Sequence, residues 1–118
     1  MSLDFLTDDL LIKNNSFDGP VVVTGAGGCI AAWVLTILHR SHIPCIAVDL
    51  SDNKNRLELL LGNETNKIDW KICDITNLEK LSKIITSHKP SAIIHLAGLQ
   101  VPFCAENPAL GARVNVEG

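Results

Sequence analysis

A chain of 118 residues, 47% hydrophobic and 19% charged, has the composition of one small globular domain rather than of a disordered or fibrous protein. Its net charge of −3, without any lysine or arginine run, argues against nucleic acid and against an anionic membrane surface as partners. The longest apolar run, Cys29 to Leu38 interrupted by Thr36, falls short of the roughly 20 residues that span a bilayer, and the acidic Asp4, Asp8 and Asp9 are unlike a secretory leader.

Residues 1–19 are expected to form an extension. Leu3, Phe5, Leu6, Leu10, Leu11 and Ile12 supply apolar content, while Asn14-Asn15-Ser16 and Asp18-Gly19-Pro20 punctuate it as loop. It suits a short helix or turn packed on the domain, or a segment reaching a partner chain. Met1-Ser2-Leu3 and Glu117-Gly118 are also compatible with cloning remnants. The domain proper is expected over 20–118. Pro20 introduces Val21 to Thr24, apolar on successive positions like a central parallel strand. After Gly25-Ala26-Gly27-Gly28, the spacing predicts a helix over Ile30–Arg40 with Ile30, Val34, Ile37 and Leu38 on its apolar face. Ser41-His42 ends it, and Ile43 to Val48 reads as a second strand closed by Asp49.

Asp52 to Leu61 predicts a second helix facing the core with Leu57, Leu60 and Leu61, and Gly62-Asn63 stops it. Lys67 to Cys73 alternates with period two, as an edge strand does. Thr76-Asn77-Leu78-Glu79 fits a capping box opening a helix with Leu78, Leu81, Ile84 and Ile85 on one face, which ends before Pro90. Ala92 to Leu96 is a fourth strand, and a last helix begins at Glu106, with Pro108 in its first turn. Alternating strands and helices of these lengths predict an α/β fold, a parallel sheet between two helical layers. Right-handed crossovers order the strands 3-2-1-4, the first half of a doubly wound sheet plus one strand of the second.

Four strand ends carry candidate chemistry. The glycine turn between a buried strand and a helix start suits a pyrophosphate on backbone N–H groups, because no side chain stands between them. The turn by itself suits a plain strand-to-helix connection equally well. Asp49 lies 21 positions beyond Gly28, near the spacing of an acid that accepts from adenosine ribose hydroxyls. A carboxylate there repels a 2′-phosphate and favours NAD over NADP, whereas Arg56 sits too far into the next helix to argue for a 2′-phosphate site. Asp74-Ile75 suits the adenine amino group and a ring nitrogen, or alternatively a helix cap. His95-Leu96-Ala97-Gly98 lets the backbone approach a nicotinamide ribose, with Leu99, Gln100 and Val101 along the edge, and His95 itself reads as a hydrogen-bonded core histidine.

Cys29, Cys45, Cys73 and Cys104 contain no CxxC pair; their even number makes a disulfide conceivable, and buried free thiols in a reducing cytosol are expected. His39 and His42 share a helix end without an acidic or cysteine companion, so no metal is expected.

Thr24-Gly25-Ala26-Gly27-Gly28-Cys29-Ile30-Ala31, Asp49, Asp74-Ile75, His95-Leu96-Ala97-Gly98 and Asn115-Val116-Glu117-Gly118 together resemble the extended short-chain dehydrogenases/reductases, the NAD-dependent epimerase/dehydratase family. The family's T-G-x-x-G-x-x-G falls on Thr24, Gly25 and Gly28, with Ala31 in place of the third glycine. The resemblance implies a Rossmann-type sheet, NAD as cofactor, and a nucleotide-sugar substrate in a complete parent enzyme. The cofactor contacts it implies are Thr24, Gly25, Gly27, Gly28, Cys29, Ile30, Asp49, Asp74, Ile75, Leu96, Ala97, Gly98 and Gln100. Asn115 would support the site through the helix after the fourth strand.

The family's proton-transfer pair is Tyr-x-x-x-Lys, and this sequence has no tyrosine. The chain is therefore expected to be the amino-terminal, NAD-binding half of an epimerase/dehydratase-like oxidoreductase, truncated before its second half and without a catalytic residue. A stand-alone NAD-binding or redox-sensing module and a cofactor-free interaction domain are the alternatives. The uncovered side of the fourth strand is expected to draw a second copy of the chain.

Overall fold

The computed structural model describes residues 3–118. The reading of Met1 and Ser2 as cloning remnants falls outside them. Four parallel strands, β1 (Val21–Thr24), β2 (Cys45–Asp49), β3 (Asp69–Ile72) and β4 (Ala92–His95), form one sheet in the order β3-β2-β1-β4, as expected. Val21 pairs with both Cys45 and Ala92, so all the strands climb together and their carboxyl ends share one rim.

Helices α1 (Cys29–Arg40) and α2 (Asn55–Leu61) belong to one face of the sheet. Val21, Val23 and Ala47 bury there against Ala31, Leu35, Leu38, Leu57 and Leu61. On the other face Val22, Ile46 and Val48 pack with Cys73 and Ile84; Ile84 belongs to α3 (Leu78–His88). This alternation within Val21-Val22-Val23, all fully buried, is why β1 is apolar at every position.

The inner face of α1 differs from the expected one. Ala31, Ala32, Leu35 and Leu38 are buried, while Ile30 is 67% exposed above the sheet rim. The helix is apolar nearly all round, so two adjacent stripes satisfy the same periodicity, and contact with β1 and β2 selects one. In α3 Leu78 is likewise off the face, at 76% exposure. The capping box is also corrected. Asn77 caps α3 by accepting from the Lys80 N–H at 3.0 Å, while the Thr76 hydroxyl donates to Asp74 Oδ1 at 2.7 Å. Asp74 competes for Thr76 as a local turn acceptor and wins because it is only two residues away.

Beyond β4 the chain forms α4 (Val101–Glu106), α5 (Pro108–Ala112) and one wide π turn over Arg113–Glu117, rather than a single helix starting at Glu106. Asn107 caps α5 through the Leu110 N–H at 3.1 Å, with Pro108 at its first position. Residues 3–17 wind into three 3₁₀ turns. The first two are held to the end of α1, where Arg40 donates to the buried Thr7 hydroxyl and to Asp8 Oδ1, and the buried Ser41 hydroxyl accepts from the Ile12 N–H. His39, expected without an acidic companion, pairs with Glu64 at 3.0 Å. All four cysteines are free; Cys45 and Cys73 are buried as expected, whereas Cys104 is half-buried and Cys29, at the first position of α1, is exposed. Among the described residues no helix is long and apolar enough to cross a membrane.

Candidate functional site

The site begins at the turn after β1. Gly25 has φ +68°, a conformation that glycine adopts without strain. A Cβ on Gly25 would lie 2.7 Å from the Ala97 backbone nitrogen. Close approach is indeed the reason for glycine here, but the approaching group is the chain's own strand end. At Gly28 a Cβ would meet the Gly25 carbonyl at 3.1 Å, and at Gly27 the Asn53 carbonyl at 3.2 Å. These three glycines thus draw the β1 turn, the β2–α2 loop and the end of β4 into one rim.

Asp49 crosses that rim. Its Oδ2 accepts the Gly27 N–H at 3.0 Å and its Oδ1 accepts the Ser51 N–H at 3.0 Å. A carboxylate offers about four acceptor positions, so capacity remains for further donors. Beside it α1 starts at Cys29 with Gly28 as N-cap and no side-chain cap. The first-turn N–H groups lack carbonyls one turn back, and the helix dipole adds partial positive charge there. A carboxylate and an uncapped helix start therefore stand side by side.

The cleft over this rim measures about 660 Å³, within the range of roughly 300–1,000 Å³ common for small-molecule sites. Of the expected positions, Gly25, Gly27, Gly28, Cys29, Ile30, Asp49, Leu96, Ala97, Gly98 and Gln100 line it. Asp74 and Ile75 line a smaller neighbouring cleft of about 200 Å³, which shares Gly25, Asp49, Ala97 and Gly98 with the first. Hydrogen bonds from the Thr76 hydroxyl, then from its backbone N–H, hold the Asp74 carboxyl below the usual carboxylate range. Asp74 is thus an ionised acceptor at neutral pH.

Thr24 and Asn115 line neither cleft; they hold the walls. The buried Thr24 hydroxyl accepts the N–H groups of Leu96 and Ala97 at 3.1 and 3.2 Å and lies 2.7 Å from His95 Nδ1. With both lone pairs engaged by these N–H groups, the Thr24 hydroxyl directs its proton to Nδ1. His95 is hydrogen-bonded as expected, but it is exposed rather than in the core. Asn115 clasps the loop after β4, its Oδ1 accepting the Leu99 N–H at 2.6 Å and its Nδ2 donating to the Leu99 carbonyl at 3.0 Å.

Arg56, expected too far into the second helix to argue strongly for a 2′-phosphate site, lies at the cleft with Ser51 and Asn53. Helix α2 starts at Asn55, three residues later than expected, which puts Arg56 in the first turn beside the rim. Its Nη1 donates to the Gly27 carbonyl at 3.0 Å. The Ser51–Asn55 turn chemistry carries the missed signal. Asn53 Oδ1 accepts the Asn55 N–H at 3.0 Å, and such local bonds delay a helix start.

Comparison with known proteins agrees with this architecture. The profile of the NAD dependent epimerase/dehydratase family matches residues 21–118. UDP-glucose 4-epimerase 2 of Arabidopsis thaliana is 31% identical over 104 residues, covering 83% of this chain and 30% of its own length. The solved UDP-glucose 4-epimerase of Thermotoga maritima with UDP-glucose superposes at TM-score 0.71 and 25% identity over 83% of this chain and 30% of that one. The Thermus thermophilus UDP-glucose 4-epimerase complex with NAD superposes at TM-score 0.70 over the same shares, and at 21% identity it speaks for the fold alone. The chain thus spans about 30% of the length of these relatives. With a family match over residues 21–118 and a 3-2-1-4 parallel sheet under a glycine-lined rim, the chain belongs to the NAD dependent epimerase/dehydratase family.

Proposed function

We propose that the rim cleft holds NAD, and that the chain is the NAD(H)-binding half of a nucleotide-sugar epimerase/dehydratase-like oxidoreductase. One observation carries this reading. Asp49, from a different strand, accepts the Gly27 N–H beside the uncapped start of α1, so an acceptor for ribose hydroxyls adjoins a cradle for phosphate. In this reading the first-turn N–H groups at Cys29 and Ile30 donate to pyrophosphate oxygens, and the remaining capacity of Asp49 takes the adenosine ribose. Asp74, ionised, accepts from the adenine amino group, and the Ile75 N–H serves a ring nitrogen. The backbone of Ala97 and Gly98, held by Thr24 and Asn115, borders the nicotinamide ribose. The nicotinamide ring supplies a hydride acceptor when bound. Proton transfer by tyrosine belongs to no residue of this chain, which contains none.

Calorimetric titration with NAD and NADP tests the proposal. NAD is expected to bind more tightly than NADP. Asp49→Asn is expected to weaken NAD by about tenfold, since hydrogen bonds to a charged group contribute about 1.5–3 kcal/mol, and to narrow the gap to NADP. An unchanged ratio would remove Asp49 from the ribose. Binding of neither dinucleotide would overturn the proposal in favour of a cofactor-free interaction domain.

A further inference from the structure

Among the described residues Asp49 and Arg56 are the only charged side chains lining the main cleft, and they hold opposite ends of one residue. Asp49 takes the Gly27 N–H and Arg56 takes the Gly27 carbonyl, each at 3.0 Å. A guanidinium is therefore fixed within one residue's span of the acid assigned to the adenosine ribose, while the α1 N–H groups serve the pyrophosphate. Its placement is built from the core outward. Leu57, the next residue, is fully buried, and Trp70 donates to the Ser51 carbonyl at 3.0 Å while Lys54 lies over its ring. Arginine carries five donors, only one of which is engaged at Gly27, and its planar fork matches a phosphate.

We propose that Arg56 is a specificity-determining residue: it tempers the rejection of a 2′-phosphate by Asp49, so that the site takes NADP as a weaker second ligand. This rests on the NAD reading above and adds a phosphate contact to it. Asp49 sets the preference for NAD, and Arg56 sets how strong that preference is.

The test titrates the 118-residue chain and its Arg56→Gln variant with NAD and NADP. Glutamine keeps a donor for the Gly27 carbonyl and removes the charge, so the melting transition is expected to stay in place. NADP is expected to weaken by about tenfold or more, as the loss of a charge-assisted contact implies, and NAD by less than about threefold. Equal losses for both dinucleotides would assign Arg56 to the pyrophosphate or to the turn and overturn the proposal, as would no change in either. Should the variant fail to fold, salt dependence in the unsubstituted chain decides by its sign. With Arg56 on the 2′-phosphate, NADP binding falls more steeply with salt than NAD binding. With Asp49 acting alone, screening of its repulsion makes NADP binding fall less steeply. If the unsubstituted chain binds neither dinucleotide, the NAD reading fails and takes this one with it, an outcome distinct from equal losses.

Discussion

Gly25→Ala would strike the point where the rim is assembled. At φ +68° an alanine is strained by about 1–2 kcal/mol. Its Cβ would also lie 2.7 Å from Ala97 N and 2.8 Å from Ala97 Cα and the Leu96 carbonyl carbon. These are backbone atoms pinned by Thr24, so the clash is not relieved by a rotamer change. Forcing such a shift typically costs about 1–3 kcal/mol, which brings the total to about 2–5 kcal/mol. Against a typical total stability of about 5–15 kcal/mol, that is a large fraction. Gly62→Ala is the internal control: at φ +55° and ψ −130° the added Cβ meets no atom within 4 Å, so backbone strain alone, about 1–3 kcal/mol, applies. Urea unfolding followed by circular dichroism measures both. Gly25→Ala is expected to lower the midpoint clearly more than Gly62→Ala, and the folded fraction is expected to bind NAD more weakly because Ala97 has moved. Equal losses for the two variants would refute the claim that the Gly25–Ala97 approach governs the rim.

Two further outcomes follow from burial and from the sheet edges. Burial pushes the Cys45 thiol up to about 11 from its ordinary 9.0. The folded chain then holds this proton more tightly than the unfolded one, so the contribution is complete below pH 9 and lost as pH rises from about 9 to about 11. Two pH units correspond to on the order of 2–3 kcal/mol. Urea midpoints at pH 8 and pH 10.5 are expected to fall further for the unsubstituted chain than for Cys45→Ala, and parallel declines would contradict this. At the sheet edges, β3 carries Asp69 and Lys71, which deter pairing, whereas β4 is Ala92-Ile93-Ile94-His95, with Ile93 53% exposed. We expect a second copy of the chain at the β4 edge. Sedimentation velocity should show concentration-dependent association in the micromolar range that Ile93→Lys suppresses; a monomer at every concentration would remove the idea.

Much of the fold is legible before any coordinates because strands and helices differ in period. The unbroken Val21-Val22-Val23 marks a two-sided central strand, and the alternation through Lys67–Cys73 marks an edge, and β1 and β3 occupy those places. Sequence and structure part where two local preferences tie. Ile30 and Ala31 begin two equally periodic stripes on α1, and only the sheet buries Ala31 and leaves Ile30 exposed. Thr76 and Asn77 are both good caps, and Asp74 settles the choice by binding Thr76. Even on the alternating strand, Ile72 is 48% exposed, because it lies at the strand end opposite Asp49.

The order of elements, the parallel sheet and most residues of the rim are written in period, glycine placement and strand-end acids, all properties of neighbours along the chain. Only the tertiary structure decided what those residues do for one another. The missing Cβ of Gly25 makes room for Ala97, 72 positions away, and the carbonyl of Gly27 is held by Arg56, 29 positions away, in a helix that starts three residues late. Such contacts depend on where separate segments meet in space, and no pattern within one segment encodes that distance.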